Sequence, residues 1–322
     1  MRIAVVGTGI AGNVAAYRLA SIADVDRAVA VARKDLDGWR RLDPQARHKM
    51  LSRVAQELRQ ARGDLIGAAA ANTGKVFTEA DVEVSEAIDF AEYYPFSAHT
   101  FTGIETVKAE GKGVGAVVSP WNFPIAIPCG GIVASLAAGN TVIFKPASDA
   151  VLVAWRLCQA FWRAGISQNV LQFVPCAGGS TGAHLVGHPD LDYVILTGGT
   201  ETGMRMLEQK PDLFLAAETG GKNATIVTAM ADRDQAIKNV IYSAFGNSGQ
   251  KCSATSLLIL EKEVRSYKVP VVDLVAAQTH DPFKILVATI LSARTKDETT
   301  TQASSRLFKK APDMESLSRL DE

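Results

Sequence analysis

Between residues 113 and 209 the chain repeats one local pattern four times: a short run rich in β-branched residues, a turn, then a helical segment. GVGAVVSP (113–120) passes through WNFP into a small-residue helix over 131–138, and TVIFKP (141–146) leads to a helix over 150–164. VLQFVP (170–175) precedes a helix over 181–186, and DYVILTGG (192–199) one over 201–208. FLAAETGGKNATIVT (214–228) supplies two further strand-like runs. Strands that alternate with helices need crossover connections, so the expected fold is α/β with a mostly parallel sheet covered on both faces. Upstream lie amphipathic helices, DRAVAVARKDLDGWRRL (26–42) and residues 44–74, in which Leu51, Val54, Leu58 and Ala61 mark one face, followed by a helix around 82–94.

The chain's 322 residues, 47% of them hydrophobic, suffice for one large domain or two of medium size. Lys+Arg and Asp+Glu balance at 34 each, so no overall field recruits nucleic acid or an anionic membrane. No apolar run is long enough to cross a bilayer, and the opening MRIAVVGTG is too rich in glycine for a secretory signal. The four cysteines, Cys129, Cys158, Cys176 and Cys252, form no CxxC pair and no cluster at zinc spacing. A reducing cytoplasm is the expected compartment, with no metal and no disulfide.

The two ends read differently from the middle. In residues 1–21, Ile3–Val6 enters the turn Gly7-Thr8-Gly9-Ile10-Ala11-Gly12 and leaves in an alanine-rich, helix-like segment, the opening of a dinucleotide fold. This stretch resembles the start of the flavin-dependent amine oxidases. Its second strand does not follow, because Val25, Ala28, Val29 and Ala32 recur at helical spacing, so the glycine turn is expected to bind nothing. Residues 265–322 carry only helical patterns, with Asp297 and Asp313 as N-caps. DPFKILVATILSARTKD (281–297) resembles the first helices of the endonuclease III-type DNA glycosylases. That family's iron–sulfur cysteines would have to follow, and no cysteine follows Cys252, so nucleic-acid chemistry is not expected.

Five motifs in the middle stretch carry the most specific resemblance: SPWNFP (119–124), FKPAS (144–148), LTGGTETG (196–203), AETGGKNA (217–224) and GNSGQKCSA (246–254). In this order they resemble the aldehyde dehydrogenase family, closest to the branch that oxidises glutamate γ-semialdehyde in proline catabolism. The resemblance covers about 22–264 and implies a Rossmann-type cofactor domain, with only the beginning of a catalytic domain after it. No E-x-F-G-P motif follows Cys252, so the expected catalytic domain is truncated, with a helical C-terminal tail from 265.

The resemblance implies a role for each motif residue. Cys252 attacks the aldehyde carbon as a thiolate, helped by backbone N–H groups of a glycine-rich turn. Asn122 donates its amide N–H to the oxyanion, together with the Cys252 backbone N–H. Glu218 is the general base that activates water against the thioester, and a carboxylate in an apolar stretch suits a base working near neutral pH. Cys129, Cys158 and Cys176 match no such motif and read as small buried hydrophobes. Trp121 flanks the oxyanion residue on the cofactor side. Lys145 and Ser148 are the expected adenosine-ribose contacts, and Gly198, Gly199, Thr200 and Gly203 form a strand-to-helix turn whose N–H groups can face a pyrophosphate. Many relatives carry glutamate at the position of Ser148, and its loss removes a charge that repels a 2′-phosphate, so NAD or NADP is the expected cofactor. The leading expectation is oxidation of a small aldehyde, with a dinucleotide-binding module without turnover and a helical DNA-associated module as alternatives. An apolar face is expected where the remaining catalytic domain packs, open to a second copy or a complementing chain.

Overall fold

The computed structural model describes residues 4–7, 13–16, 19–261, 281–292 and 297–320. The chain divides into two compact units, Met1–Lys222 with Ser243–Ala254, and Asn223–Tyr242 with Thr255–Glu322.

The first unit is built on a five-stranded sheet of β3 (Val114–Val118), β4 (Thr141–Lys145), β5 (Leu171–Phe173), β6 (Tyr193–Gly198) and β7 (Phe214–Thr219). Its spatial order is β5-β4-β3-β6-β7, and every neighbouring pair is parallel. Period-2 alternation sorts the strand residues into two cores. Val114, Ala116, Val118, Ile143, Val194 and Leu196 face one side, where α1 (Ile22–Lys34), α7 (Thr181–Gly187) and α8 (Thr200–Gln209) cover them. Val117, Val142 and Phe144 face the other, beneath α5 (Ala126–Ala137) and α6 (Val151–Arg163). Outside these lie α2 (Pro44–Gln60), α3 (Arg62–Thr73) and the long α4 (Phe77–Thr102). Phe144, Leu157 and Phe161 are fully buried here, each worth about 1.5–3 kcal/mol in removed apolar surface. A helix–sheet–helix sandwich follows from strands that are apolar on both faces.

Local chemistry fixes the element ends. Ser21 caps α1 by accepting from the Asp24 N–H, while the Asp24 carboxylate accepts from the Ser21 N–H. No side chain of its own caps α6; instead Asn72 near the end of α3 accepts from the Leu152 and Val153 N–H groups at 2.9 and 3.4 Å. Glycine is required at Gly113, where φ is +130° and a Cβ would lie 2.1 Å from the Asp192 carboxylate. That carboxylate accepts from the Val114 N–H at 2.6 Å and pairs with Arg33, tying β3 to the start of β6 and to α1.

Three sequence expectations need correction. The alanine-rich segment after the first glycine turn is not helical where described: β1 (Ala4–Gly7) pairs antiparallel with β2 (Asn13–Ala16). Lacking a place in the five-stranded sheet, β1 satisfies its backbone groups on the segment that follows it. Residues 8–12 of the glycine turn lie outside the described residues. The helix expected over 26–42 ends at Lys34, because Asp35 turns left-handed (φ 46°). The Asp35 carboxylate then accepts from the Trp39 and Arg40 N–H groups, starting a separate 3-10 turn over Trp39–Arg41. Finally, α4 runs well beyond 82–94 at both ends.

In the second unit, β8 (Asn223–Val227) pairs in parallel with β9 (Thr255–Leu260). α9 (Arg233–Phe245) runs between them in sequence, and neither it nor β9 was legible in the pattern. The described tail is helical: α10 (Pro282–Ser292), α11 (Asp297–Lys310) and α12 (Met314–Leu317). Asp313 caps α12 in a reciprocal box with Ser316, whereas Asp297 is the first residue of α11.

Candidate active site

In the first unit the chain runs from β3 outward to β4 and β5, then returns past β3 to β6 and β7. The direction of winding therefore reverses between β3 and β6, and ligands of open parallel sheets bind at the carboxyl ends of the strands at such a point. Four of the five sequence motifs end strands here. SPWNFP follows β3, Lys145 ends β4, Gly198 ends β6, and Glu218 is the penultimate residue of β7, in register with Thr197 of β6. The fifth, the turn that carries Cys252, reaches the same edge through a hydrogen bond: Asn122 Nδ2 donates to the Gln250 carbonyl at 2.7 Å.

The turn is held in an unusual shape. Asn247 (φ 53°), Ser248 (φ 57°) and Gly249 (φ 72°) are consecutive left-handed residues, a conformation that persists for non-glycine residues only when neighbours enforce it. The neighbours come from two places. Asn247 Nδ2 donates to the Asn122 and Gln250 carbonyls at 3.4 and 3.2 Å, and the Asn247 N–H donates to Glu79 Oε1 of α4 at 2.9 Å. Lys251 pairs with the same Glu79 oxygen at 3.7 Å. Cys252 follows and is exposed, while Cys129, Cys158 and Cys176 are buried, and burial pushes each of those thiols up.

The loop that carries Asn122 is braced from the same helix. Lys75 Nζ, one residue before the α4 cap, donates to the Asn122 carbonyl at 2.8 Å and lies 3.8 Å from the centre of the Phe123 ring. Glu83 Oε1 accepts from the Ile125 and Ala126 N–H groups at 2.6 and 3.0 Å, where α5 begins without a side-chain cap of its own. Lys75 and Glu83 pair at 3.1 Å with side chains 2% and 1% exposed. Burial pushes the Glu83 carboxyl up; the Lys75 charge and the two N–H donors oppose this without cancelling it.

The remaining predicted residues divide by exposure. Lys145 is buried, its Nζ donates to the Pro146 carbonyl at 3.2 Å, and burial pulls its ammonium down from the usual lysine range, against the pull of Cys176. Ser148 and Trp121 are exposed, Ser148 at the first residue of a 3-10 turn that leads into α6. Gly199 is the N-cap of α8 and Thr200 its first residue; no side chain among the described residues caps the helix, so its first N–H groups are open to an anion. Gly203 is buried one turn on, its Cα close to Leu196. Glu218 is exposed on the edge strand β7, so the described residues do not supply the apolar surroundings expected from its sequence neighbours. It lines a groove of about 460 Å³ with Tyr94, Val117, Ile127 and Thr197.

Pattern reading missed Lys75, Glu79, Glu83, Asn247 and Gln250. A signal was present: Glu79 and Glu83 stand four residues apart on a helix whose Ala80, Val84 and Ala87 are buried, with Lys75 four residues earlier, just ahead of its N-cap. These groups brace the loop of Asn122 and the turn of Cys252 at the carboxyl edge of the parallel sheet, at its switch point.

The Aldehyde dehydrogenase family matches residues 3–282, and the chain belongs to that family. It is 37% identical over 257 residues to 1-pyrroline-5-carboxylate dehydrogenase of Geobacillus kaustophilus, an alignment covering 74% of this chain and 50% of that protein. Among solved structures, 1-pyrroline-5-carboxylate dehydrogenase from Thermus with bound NAD superposes with a TM-score of 0.72 at 37% identity, over 77% of this chain and 52% of that one. Proline utilization A from Corynebacterium freiburgense gives 0.71 at 44% identity, over 76% of this chain and 25% of that one. The chain thus spans about half the length of the curated relatives it matches.

Proposed function

We propose that this chain carries the cofactor site and the nucleophile of an NAD(P)-dependent oxidation of glutamate γ-semialdehyde, or a closely similar short aldehyde, to the carboxylate. The observation that carries the reading is the hydrogen bond from the Asn122 amide to the Gln250 carbonyl, which brings the oxyanion residue onto the turn of the nucleophile at the carboxyl edge of a parallel sheet.

The residues present fit a dinucleotide. The uncapped start of α8 at Gly199-Thr200 would offer N–H groups to a pyrophosphate, and Lys145, Ser148 and Trp121 would hold the adenosine ribose and border the cofactor edge. With serine at 148, either NAD or NADP is accommodated. When bound, the nicotinamide supplies a hydride acceptor. Cys252 Sγ adds to the aldehyde carbon, the carbonyl π pair moves to oxygen, and the second amide N–H of Asn122 donates to that oxyanion, a contribution of about 3 kcal/mol for a preorganised donor. Loss of hydride from the thiohemiacetal carbon leaves a thioester on Cys252. Glu218 then takes a proton from water, which attacks the thioester carbon and releases the carboxylic acid and the thiol. Glu218 sits on the edge strand, where water reaches it.

The test is aldehyde-dependent formation of reduced nicotinamide by the purified chain, with NAD and with NADP, beside Cys252→Ser. Turnover that the substitution abolishes, with dinucleotide affinity unchanged, is the expected result. Dinucleotide binding without turnover at any aldehyde concentration would reduce the chain to a binding module.

A further inference from the structure

The oxyanion residue and the nucleophile belong to different segments, 128 residues apart from Asn122 to its hydrogen-bond partner Gln250, and neither segment is a regular element. What they share is α4. Building on the function proposed above, we infer that Glu79, with the Lys75–Glu83 pair beside it, is the positioning group of the site: it fixes the turn that carries Cys252 relative to Asn122.

Lys75 and Glu83 hold the Asn122 loop from below, through the Asn122 carbonyl and the Ile125 and Ala126 N–H groups. One helical turn before Glu83, Glu79 holds the other segment through the Asn247 N–H and the Lys251 ammonium. Residues four apart lie on one helix face, so a single rigid face reaches both loops. The Glu79 contact falls on the first of the three left-handed residues, where an acceptor does the most to hold a conformation the backbone would otherwise leave. Glu79 touches neither substrate nor cofactor in this scheme. It acts through the Asn247 N–H, so the oxyanion donor and the attacking sulfur keep one separation while aldehyde binds.

Cys252 is the one exposed thiol, which makes the test direct. Its alkylation by iodoacetamide is followed by mass spectrometry with increasing glutamate semialdehyde, in the native chain, Glu79→Ala and Glu79→Gln. Protection is normalised to each protein's own rate without aldehyde. NAD affinity and Tm are measured in parallel. Alanine removes the acceptor for the Asn247 N–H, and glutamine keeps it. The expected result is that half-protection in Glu79→Ala needs about tenfold more aldehyde, that Glu79→Gln stays within about twofold of native, and that NAD affinity is unchanged in both. Equal protection in all three proteins overturns the inference. So does parallel loss of NAD affinity and Tm with protection in Glu79→Ala, which would make Glu79 a general structural prop. Loss of protection in glutamine and alanine alike also overturns it, because the ion pair to Lys251 would then carry the effect. Absence of aldehyde protection in the native chain is a different failure, and it falls on the functional reading itself.

Discussion

At the end of β4 an ammonium group sits where water is largely excluded, and its two roles pull in opposite directions with pH. Burial holds Lys145 below the ordinary lysine value of 10.5. The unfolded chain therefore binds that proton more tightly, so the lysine's penalty on stability is full below its folded pKa and fades as pH rises toward 10.5. On the function proposed above, dinucleotide affinity runs the other way and is expected to fall as the ammonium is lost. We expect Lys145→Met to raise Tm near neutral pH, to weaken NAD binding, and to flatten both pH profiles; thermal melts and NAD titrations from about pH 7 upward check this. The Lys75–Glu83 pair makes a sharper case. Removing one partner leaves a buried charge, so Lys75→Met should cost about 3–5 kcal/mol in denaturant unfolding, while Lys75→Met with Glu83→Gln should recover most of it. Equal losses in the single and double variants would mean that the ammonium is held for its bond to Asn122 rather than for its charge.

At the scale of elements, helix α6 depends on a cap from elsewhere in the chain. Asn72 supplies its first acceptor, so Asn72→Ala should cost about 1 kcal/mol, read from the denaturant midpoint with an unchanged slope. Such long-range caps explain where the sequence was legible and where it was not. The strands from β3 to β7 were readable because each is a short, mostly apolar run followed by a glycine or proline turn, a local property. α9 was overlooked although Ala236, Ile237, Val240, Ile241 and Ala244 recur at helical spacing, and β9 carries Leu257, Leu258 and Ile259 exposed with no alternation. The break after α1 depends on Asp35 accepting from residues four and five ahead, a choice that helical periodicity does not record. At the site, the motif residues were named from resemblance, whereas the groups that brace them, Lys75 ahead of α4 and Glu79 and Glu83 on it, became visible only when that helix and two distant loops met in space.

At the scale of the molecule, the second unit exposes apolar side chains on both of its described strands. Ile226 and Met230 are 67% and 93% exposed, and Ile226 stands in register with the exposed Ile259. Surfaces of this kind mark contacts with another chain or a liability to aggregate. The chain is expected to self-associate as concentration rises, which light scattering will record as a growing apparent mass, and Met230→Lys with Leu257→Lys should shift it toward 34.3 kDa. A single mass at every concentration in the native chain would contradict this.

On the function proposed above, the edge of one parallel sheet brings a cofactor site, an oxyanion donor and one reactive thiol together within this chain. The most direct measurement is peptide mapping by mass spectrometry after acid quench of the chain with glutamate semialdehyde and NAD. A thioester is expected on the Cys252 peptide that requires both reagents, is strongly reduced in Asn122→Ala, and is absent from the Cys129, Cys158 and Cys176 peptides. Bound NAD with no adduct at Cys252, or an adduct formed equally well without NAD, would contradict it.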